Sequence, residues 1–247
     1  MEFRKEYLKG QEIITEVRKY LINGGLQNDA IISSKDRDIK IELDIHVEKI
    51  IIEKIQSFSN YKIISEEMNN PVEITDVHEP CWIIDPIDGS FNFINSIPTY
   101  SCCLAFWDNG NPIFGIVLDI PRDITYTGYV DADDFKANGK SINLKENLLS
   151  IEKKNSVLAT GIPTYLDLTS TNINLFGKLI TEYKKIRMFG CASLSLVMCA
   201  EGKVDSYYES NIKIWDVAAG IVFNKIVNKN ITIKYLGNNL LDLKTGK

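Results

Sequence analysis

The chain has 247 residues, 45% of them hydrophobic, and a formal net charge of −5 that is spread along the sequence. This length and apolar content predict one large domain or two close-packed subdomains with a substantial core. No basic block indicates a nucleic-acid surface, and no apolar run is long enough to span a bilayer. The N-terminus is charged and lacks the apolar core of a signal peptide, so a cytoplasmic location without membrane or nucleic-acid partners is expected.

The cysteines and histidines narrow the possible chemistry. The number of cysteines is odd and most lie in apolar segments, which favours buried thiols in a reducing compartment. They are Cys81, Cys102, Cys103, Cys191 and Cys199. The only histidines are His46 and His78, and this scarcity argues against a zinc site and against a Ser-His-Asp triad.

Two helices and two short strands are predicted in the first third of the chain. Residues 3–22 have helical apolar spacing and are followed by Gly24 and Gly25, which is typical of a helix C-terminus. Residues 39–55 predict a second helix, preceded by an extended start. Strands are predicted at 61–65, ending at Glu66 and Glu67, and at 81–85, ending at Asp85.

Strands and helices alternate through the rest of the chain. Residues 101–107 and 112–118 flank Asp108-Asn109-Gly110-Asn111, a strong hairpin signal, and Asn138-Gly139 marks a second turn. Helices are predicted at 171–184, 194–200 and 215–227, and extended segments at 185–189, 204–209 and 231–235. This alternation predicts an α/β (α+β) protein of stacked sheets and helices.

Four acidic residues stand where a predicted strand stops or a helix starts: Glu66, Asp85, Asp88 and Asp216. Asp85 and Asp88 bracket Pro86, which rigidifies the backbone. Gly89 and Ser90 follow at once and offer backbone N–H groups and a hydroxyl where a helix N-terminus would suit phosphate. Asp216 interrupts an apolar run, and the alternative interpretation is a carboxylate that only stabilises a helix N-terminus.

Carboxylates that converge repel one another unless cations lie between them. Hard divalent cations prefer oxygen ligands, so two or three Mg²⁺ ions would remove the repulsion. A cation of this kind lowers the pKa of water, which then attacks phosphorus directly, without a covalent intermediate on the protein. The pattern therefore indicates metal-dependent chemistry on a phosphate ester.

The segment DPIDGSFNFINSIP, preceded by SEE and followed far downstream by IWDVAAG, resembles the inositol monophosphatase family from about Asp38 to about Gly220. The resemblance implies a lithium-sensitive, Mg²⁺-dependent sugar phosphatase with a layered αβαβα sandwich. GSFNFINSIP is similar to archaeal members that act on both inositol monophosphate and fructose 1,6-bisphosphate. The implied organisation is a metal-binding α+β subdomain over 1–136 and an α/β subdomain over 137–247, in one compact unit.

The resemblance also implies roles for individual residues. The implied metal ligands are Glu66, Asp85, the backbone carbonyl of Ile87, Asp88 and Asp216. Gly89 and Ser90 would present N–H groups to the phosphate. Ser90 stands where the family more often has threonine, and Asp44 matches the aspartate that hydrogen-bonds this hydroxyl, so Asp44 and Ser90 are expected to orient the attacking water. The implied catalytic set is Ser90, Asp44, Glu66 and Asp85.

The substrate contacts are expectations with plain structural alternatives. Glu209 matches the residue that binds sugar hydroxyls in inositol-specific relatives, and the alternative is a surface acid at a strand end. Gly190, Cys191 and Ala192 fall in a loop that would line the substrate pocket. Arg187 is a candidate for a remote phosphate of a bisphosphate, and the alternative is a structural ion pair.

Two departures from the family pattern stand out. The segment 33–40 lacks a clean match to the lysine-bearing metal loop of animal relatives, which leaves Lys35 and a third metal open. The chain also stops at LDLKTGK, where relatives usually continue with one more strand and helix, which leaves open whether the C-terminus is trimmed or the given chain is shortened.

The functional expectation is an Mg²⁺-dependent phosphomonoesterase for inositol monophosphate, fructose 1,6-bisphosphate or both, with Mn²⁺ as a substitute, Li⁺ as a candidate inhibitor and a homodimeric assembly. Three alternatives stay open: a nucleotide 3′-phosphatase, an NADP phosphatase, and a non-catalytic relative that binds a protein partner.

Overall fold

The computed structural model describes residues 2–24, 31–35, 38–68, 72–142, 152–162 and 169–246. The helices in this part of the chain are α1 (Arg4–Ile22), α2 (Glu42–Gln56), α3 (Ser90–Ile94), α4 (Ser170–Glu182), α5 (Ala192–Ala200) and α6 (Ile214–Ile226). The strands are β1 (Ile31–Lys35), β2 (Asp38–Ile41), β3 (Lys62–Ser65), β4 (Cys81–Asp88), β5 (Ser101–Asp108), β6 (Asn111–Asp119), β7 (Ile124–Tyr129), β8 (Asp134–Ala137), β9 (Lys140–Ser141), β10 (Val157–Thr160), β11 (Lys185–Arg187), β12 (Ser206–Lys213), β13 (Asn230–Gly237) and β14 (Leu240–Gly246).

The strands form two main sheets and one small hairpin. The larger sheet has the order β3-β4-β5-β6-β7-β8-β9, and all its pairs are antiparallel except β3 with β4. The smaller sheet has the order β11-β10-β12-β14-β13, in which β10 runs parallel to both β11 and β12. The strands β1 and β2 pair antiparallel as a separate ribbon.

The larger sheet is covered on both faces, because alternate side chains of its central strands enter two different cores. Leu104 and Phe106 of β5 pack with α1 and α2, whereas Cys103 and Ala105 pack with α5 and α6. Helix α5 also contacts β10 and β12, and α6 contacts β12, so the two helices form a shared layer between the two sheets. A strand buried on both faces reads as a continuous apolar run, which explains the sequence of β5.

Helix α4 forms the layer on the other face of the smaller sheet. The chain moves from β10 through α4 to β11, and then back from β11 through α5 to β12, with β10 parallel to both strands. Crossovers between parallel strands are right-handed. The crossover from β10 to β11 and the crossover from β11 to β12 run in opposite directions along the sheet, so α4 and α5 lie on opposite faces of it. The predicted α/β class and αβαβα layering are therefore confirmed.

Most predicted elements are confirmed, and the differences are informative. The hairpin between β5 and β6 turns at Asn109 and Gly110, both with positive φ, as an Asn-Gly turn requires. The prediction that the strand from Cys81 ends at Asp85 is wrong, because β4 continues through Pro86 to Asp88. The strand β14 was not predicted, yet it lies between β12 and β13 at the end of the chain.

Some predictions fall outside the described residues or remain untested. Gly25 lies outside them, as does the side chain of Lys35. The larger sheet continues past the predicted boundary between 136 and 137 to Ser141, and the division into subdomains stays a prediction. All five cysteines are buried and free, as expected. Within the described ranges, no helix combines the length and apolar character needed to cross a bilayer.

Candidate active site

A bulge in β4 brings two carboxylates to the same face of the larger sheet. Asp85 pairs with Cys103 and Asp88 with Ser101, so Pro86 and Ile87 together oppose one residue of β5. In a regular strand, residues three apart lie on opposite faces, and the extra residue reverses this alternation. Asp85 and Asp88 consequently both point toward the layer of α5 and α6. Proline is tolerated here because the bulge interrupts the hydrogen-bond ladder.

Asp85 lies in an environment that disfavours its negative charge. It is almost completely buried, and, apart from the neighbouring Asp216 carboxyl, no described residue offers a hydrogen bond to either of its carboxylate oxygens. Burial raises the pKa of Asp85 well above its usual value, and the nearby charges of Glu66 and then Asp88 raise it further. A buried carboxylate without donors is costly unless it is neutral or binds a cation. The two orphaned oxygens therefore fit a hard cation, which takes oxygen ligands.

Asp88 is held by the start of α5. Its carboxylate accepts hydrogen bonds from the backbone N–H of Ser193 at 2.7 Å, the N–H of Ala192 at 3.3 Å and the thiol of Cys191 at 3.1 Å. Burial raises the pKa of Asp88, and these donors partly offset the increase. An acid at a helix N-terminus is also stabilised by the helix dipole. The arrangement fixes Asp88 rigidly at the edge of a cavity.

Asp216 lies in the first turn of α6, three residues after its N-cap residue Lys213. The backbone of Lys213 hydrogen-bonds the Asp216 carboxylate, as in a capping box, which partly lowers a pKa that burial and Asp88 raise well above the usual value. The Asp216 carboxyl is also within hydrogen-bond reach of Asp85. Asp216 is thus stabilised at a helix N-terminus, but this is not its only interaction, because the same side chain joins the acidic group.

Glu66 follows β3 and borders the cavity. Its two neighbours are anchored by Glu48, a buried acid of α2: Glu48 Oε1 accepts hydrogen bonds from the hydroxyl of Ser65 and from the backbone N–H of Glu67, the latter at 3.2 Å. Glu48 therefore fixes the backbone on both sides of Glu66. The sequence pattern does not indicate this role of Glu48, because the contact joins two separate elements, α2 and the segment after β3.

Ser90 begins α3 directly after Gly89, whose φ of 91° is in the left-handed region. A side chain on Gly89 would meet the carbonyl oxygens of Thr99 and Gly190 at 3.0 Å, so glycine is needed there. The hydroxyl of Ser90 donates to the carbonyl of Ile87 at 2.9 Å. Its single proton is therefore not donated to Asp44, and the predicted Ser90–Asp44 hydrogen bond could be made only after the hydroxyl turns.

Asp44 itself is buried in the first turn of α2. Its charge contributes to the raised pKa of Asp85, so it belongs to the same acidic group. The roles predicted for Asp44 and Ser90 stay predictions.

Glu209 is a buried residue of β12 that lines the same cavity. The hydroxyl of Tyr207 donates to its Oε2 at 2.6 Å, and Gly161 leaves the space that the carboxylate occupies. Burial raises the pKa of Glu209 to about 7, with a smaller contribution from the charge of Asp88 and opposition from the Tyr207 hydrogen bond. The interpretation as an ordinary surface acid is therefore wrong. Glu209 is a buried acid that faces the cavity.

A cavity of about 470 Å³ gathers most of the predicted site residues. Its lining includes Glu66, Asp88, Gly190, Cys191, Ala192, Glu209 and Asp216. The buried amide of Asn92 holds the loop on one side, because its Nδ2 donates to the carbonyls of Phe189 and Gly190. Sequence reasoning missed Asn92, since nothing in its local pattern indicates a contact about one hundred residues away.

Other predicted residues lie elsewhere. Asp44, Asp85, Ile87, Gly89 and Ser90 are behind or beside the cavity rather than in its lining. Arg187 is exposed on β11, with its guanidinium bonded to the carbonyl of Ile186 at 2.9 Å, and it does not line the cavity. Its phosphate-binding role stays a prediction that this placement does not support.

The described acidic side chains do not surround one common point. Among the described residues, no three acidic, histidine or cysteine side chains are arranged as ligands around one point. The fit to a metal therefore rests on the donors themselves, which are all oxygens, and on the unsatisfied oxygens of Asp85.

Two known proteins are similar to this chain in sequence. The chain is 32% identical over 197 residues to a fructose-1,6-bisphosphatase/inositol-1-monophosphatase of Thermotoga maritima, covering 79% of this chain and 72% of that protein. It is also 32% identical over 196 residues to the Nus factor SuhB of Escherichia coli K12, covering 78% and 71% respectively.

A solved inositol monophosphatase from Anabaena (Nostoc) sp. PCC 7120 has a similar fold, with a TM-score of 0.80 and 23% identity over 99% of this chain and 92% of that one. A sequence model described as the inositol monophosphatase family matches residues 4–224. This match spans most of the chain, which therefore belongs to the inositol monophosphatase family.

Proposed function

We propose that the chain is an Mg²⁺-dependent phosphomonoesterase that hydrolyses inositol monophosphate, fructose 1,6-bisphosphate or both by direct attack of water. The members of the family are phosphatases, and the family is generally metal-dependent. The observation that carries the proposal is Asp85, whose two buried oxygens have no donor among the described residues other than the Asp216 carboxyl. The charges of four further acids, Glu66, Asp88, Asp216 and Asp44, act on it. Such a group is stable as an anion only with a cation.

The proposed metal ligands are Glu66, Asp85, the carbonyl of Ile87, Asp88 and Asp216. When bound, a divalent cation would neutralise these charges, lower the pKa of water and stabilise the departing alkoxide. Asp88 and Asp216 are held at the starts of two helices, so their carboxylates are fixed before substrate arrives. This preorganisation is what electrostatic catalysis needs.

Phosphate binding, orientation of the attacking water and contact with the leaving group are assigned to other residues of the chain. Gly89 and Ser90 are proposed to bind the phosphate through backbone N–H groups, and the Ser90 hydroxyl, turned from Ile87 toward Asp44, would orient the attacking water. Gly190, Cys191, Ala192 and Glu209 are proposed to contact the leaving group. A homodimer and a cytoplasmic location are proposed by analogy with the family alone.

The direct test is a panel of phosphate esters scored by released phosphate. Inositol 1-phosphate and fructose 1,6-bisphosphate are compared with a nucleoside 3′-phosphate and NADP at several Mg²⁺ concentrations. The proposal expects the highest kcat/KM for one of the first two. A clear preference for the nucleotide or for NADP would select one of the alternative phosphatases instead.

The relatives named Nus factor SuhB give one specific reason to keep a second candidate, a non-catalytic protein that binds a partner. The filled acidic positions of this chain favour catalysis. Purified protein that releases no phosphate from any substrate in saturating Mg²⁺ would favour the partner-binding alternative.

Replacement of Ser90 tests its proposed role in orienting water. Ser90→Ala should lower kcat for inositol 1-phosphate by about 10²-fold with little change in KM, because a positioned hydroxyl acts mainly in the transition state. Ser90→Thr is the matched control and should retain most activity, since it keeps the hydroxyl. Steady-state kinetics at saturating Mg²⁺ measure both. An unchanged kcat in Ser90→Ala would remove the hydroxyl from the mechanism.

Glu48 should act through Glu66. Loss of its carboxylate in Glu48→Ala frees both neighbours of Glu66, and we expect the Mg²⁺ concentration for half-maximal activity to rise about 10- to 100-fold. Glu48→Gln keeps an oxygen that accepts the bonds from Ser65 and Glu67, so it should largely restore the metal response. Equal responses of the alanine and glutamine variants would show that Glu48 has only a packing role.

A further inference from the structure

The cavity has two chemically different ends. Its inner end carries the carboxylates of Glu66, Asp88 and Asp216, which the proposed function assigns to cation binding. Its mouth is bordered by four large hydrophobic side chains that are strongly exposed: Phe91 at 59%, Met188 at 50%, Ile97 at 43% and Ile162 at 37%. Exposed apolar side chains that cluster around one opening, unlike scattered ones, mark a binding surface.

The apolar border comes from three separate parts of the chain. Phe91 belongs to α3 and Ile97 to the loop that follows it, Ile162 follows β10, and Met188 follows β11. Their convergence on one opening is thus a tertiary arrangement rather than a local run of apolar sequence. The segment with Met188 is fixed in place, because Asn92 binds the carbonyls of Phe189 and Gly190.

The described part of this opening carries little positive charge. Among the lining residues that the structure describes, Lys213 is the only cation. Its ammonium donates to the carbonyl of Asn238 at 2.7 Å and lies 5.2 Å from the centre of the Trp215 ring, so it already has partners. Glu209 is a buried acid that interacts with the charges of Asp88 and Asp216, so it lies with the inner acids rather than at the border. In the described part of the opening, a second phosphate on the substrate would therefore meet apolar side chains and no cation other than Lys213.

We propose that this cavity selects a phosphate monoester whose leaving group is uncharged and presents an apolar face, and that it discriminates against a leaving group with a second phosphate. The inference rests on the proposed function. The apolar face would lie against Phe91 and Met188, while a hydroxyl on the same group reaches Glu209. The proposal favours inositol monophosphate over fructose 1,6-bisphosphate, because fructose 1,6-bisphosphate carries the disfavoured second phosphate.

The test compares esters that are matched in chemical reactivity. Benzyl phosphate and ethyl phosphate release alcohols of similar acidity, so a difference in kcat/KM reports binding of the ring. We expect benzyl phosphate to be favoured about 10-fold, which corresponds to burial of one ring face. Fructose 1,6-bisphosphate should have a lower kcat/KM than inositol 1-phosphate at equal Mg²⁺.

Substitutions at the border locate the effect. Met188→Ser and Phe91→Ser should each reduce the preference for benzyl over ethyl phosphate several-fold. Leu8→Ser is the matched control, since Leu8 is also 50% exposed but lies on α1, away from the cavity, and both the preference and the basal activity should be unchanged. Calorimetric binding of both esters to the slow Ser90→Ala variant with Mg²⁺ gives a second readout that does not depend on turnover.

The outcomes distinguish failure of this inference from failure of the proposed function. Release of phosphate from inositol 1-phosphate with equal rates and affinities for benzyl and ethyl phosphate would overturn the inference and leave the proposed function standing. A preference for fructose 1,6-bisphosphate would do the same. If no ester releases phosphate or binds the Ser90→Ala variant, both the inference and the proposed function fail.

Discussion

Asp85→Asn should reduce phosphate release from inositol 1-phosphate at least about 100-fold in saturating Mg²⁺, because an amide cannot supply the anionic oxygens that the proposed cation requires. The same substitution should stabilise the cation-free protein. In wild type, burial and the neighbouring acids raise the pKa of Asp85, which shows that its charge is unfavourable there. The variant in EDTA at pH 8 is therefore expected to have a higher Tm than wild type, and added Mg²⁺ should raise the Tm of wild type only.

Asp133→Asn is the matched control for this substitution. Asp133 is exposed, and its φ of 46° is a conformation that asparagine tolerates, so neither activity nor Tm should change appreciably. Steady-state phosphate release and thermal denaturation with and without Mg²⁺ measure both effects. Normal turnover by Asp85→Asn would remove Asp85 from the proposed metal site.

The cation-free protein should lose stability as the pH rises from 5 to 8. The pKa values of Asp85, Asp88 and Asp216 are raised in the folded state, mainly by burial, and that of Glu209 is raised from 4.5 to about 7. A group whose pKa is raised on folding contributes stability below its unfolded pKa, and this contribution is lost as pH rises through the folded pKa. For Glu209 alone, the loss is about 3 kcal/mol, or on the order of 10 °C in Tm.

Thermal denaturation in EDTA across this pH range tests the expectation. Glu209→Gln can still accept the hydrogen bond from Tyr207, so it should flatten the curve without disrupting the fold. Mg²⁺ should restore most of the Tm lost by wild type at pH 8, because a cation favours the ionised carboxylates. A Tm in EDTA that rises steadily from pH 5 to 8 would contradict the electrostatic account.

The sequence predicted the fold well where its pattern is local. Helical spacing predicted α1 and α2, and Asn109-Gly110 predicted the β5–β6 hairpin with its positive φ angles. It failed where tertiary contacts decide. Pro86 suggested a strand end, but the neighbouring strand accommodates it in a bulge. The strand β14 gains its place only from pairing with β12 and β13, which local sequence does not show.

In the candidate site too, local motifs predicted some residues, whereas contacts between distant parts of the chain were not predicted. The acids Glu66, Asp88 and Asp216 were predicted from motif positions, and the cavity brings them together. Long-range contacts were not predictable from those motifs. Glu48 anchors the backbone beside Glu66, and Asn92 holds the loop at Gly190, in each case through hydrogen bonds between distant parts of the chain.

The central claim is that the acidic group around Asp85 is a metal-dependent phosphatase centre. The most direct test measures phosphate release from inositol 1-phosphate by protein stripped with EDTA, before and after addition of excess Mg²⁺. The account predicts no detectable release before addition and steady turnover afterwards, which Asp85→Asn does not show. Release that is independent of Mg²⁺, or that survives in Asp85→Asn, would contradict it.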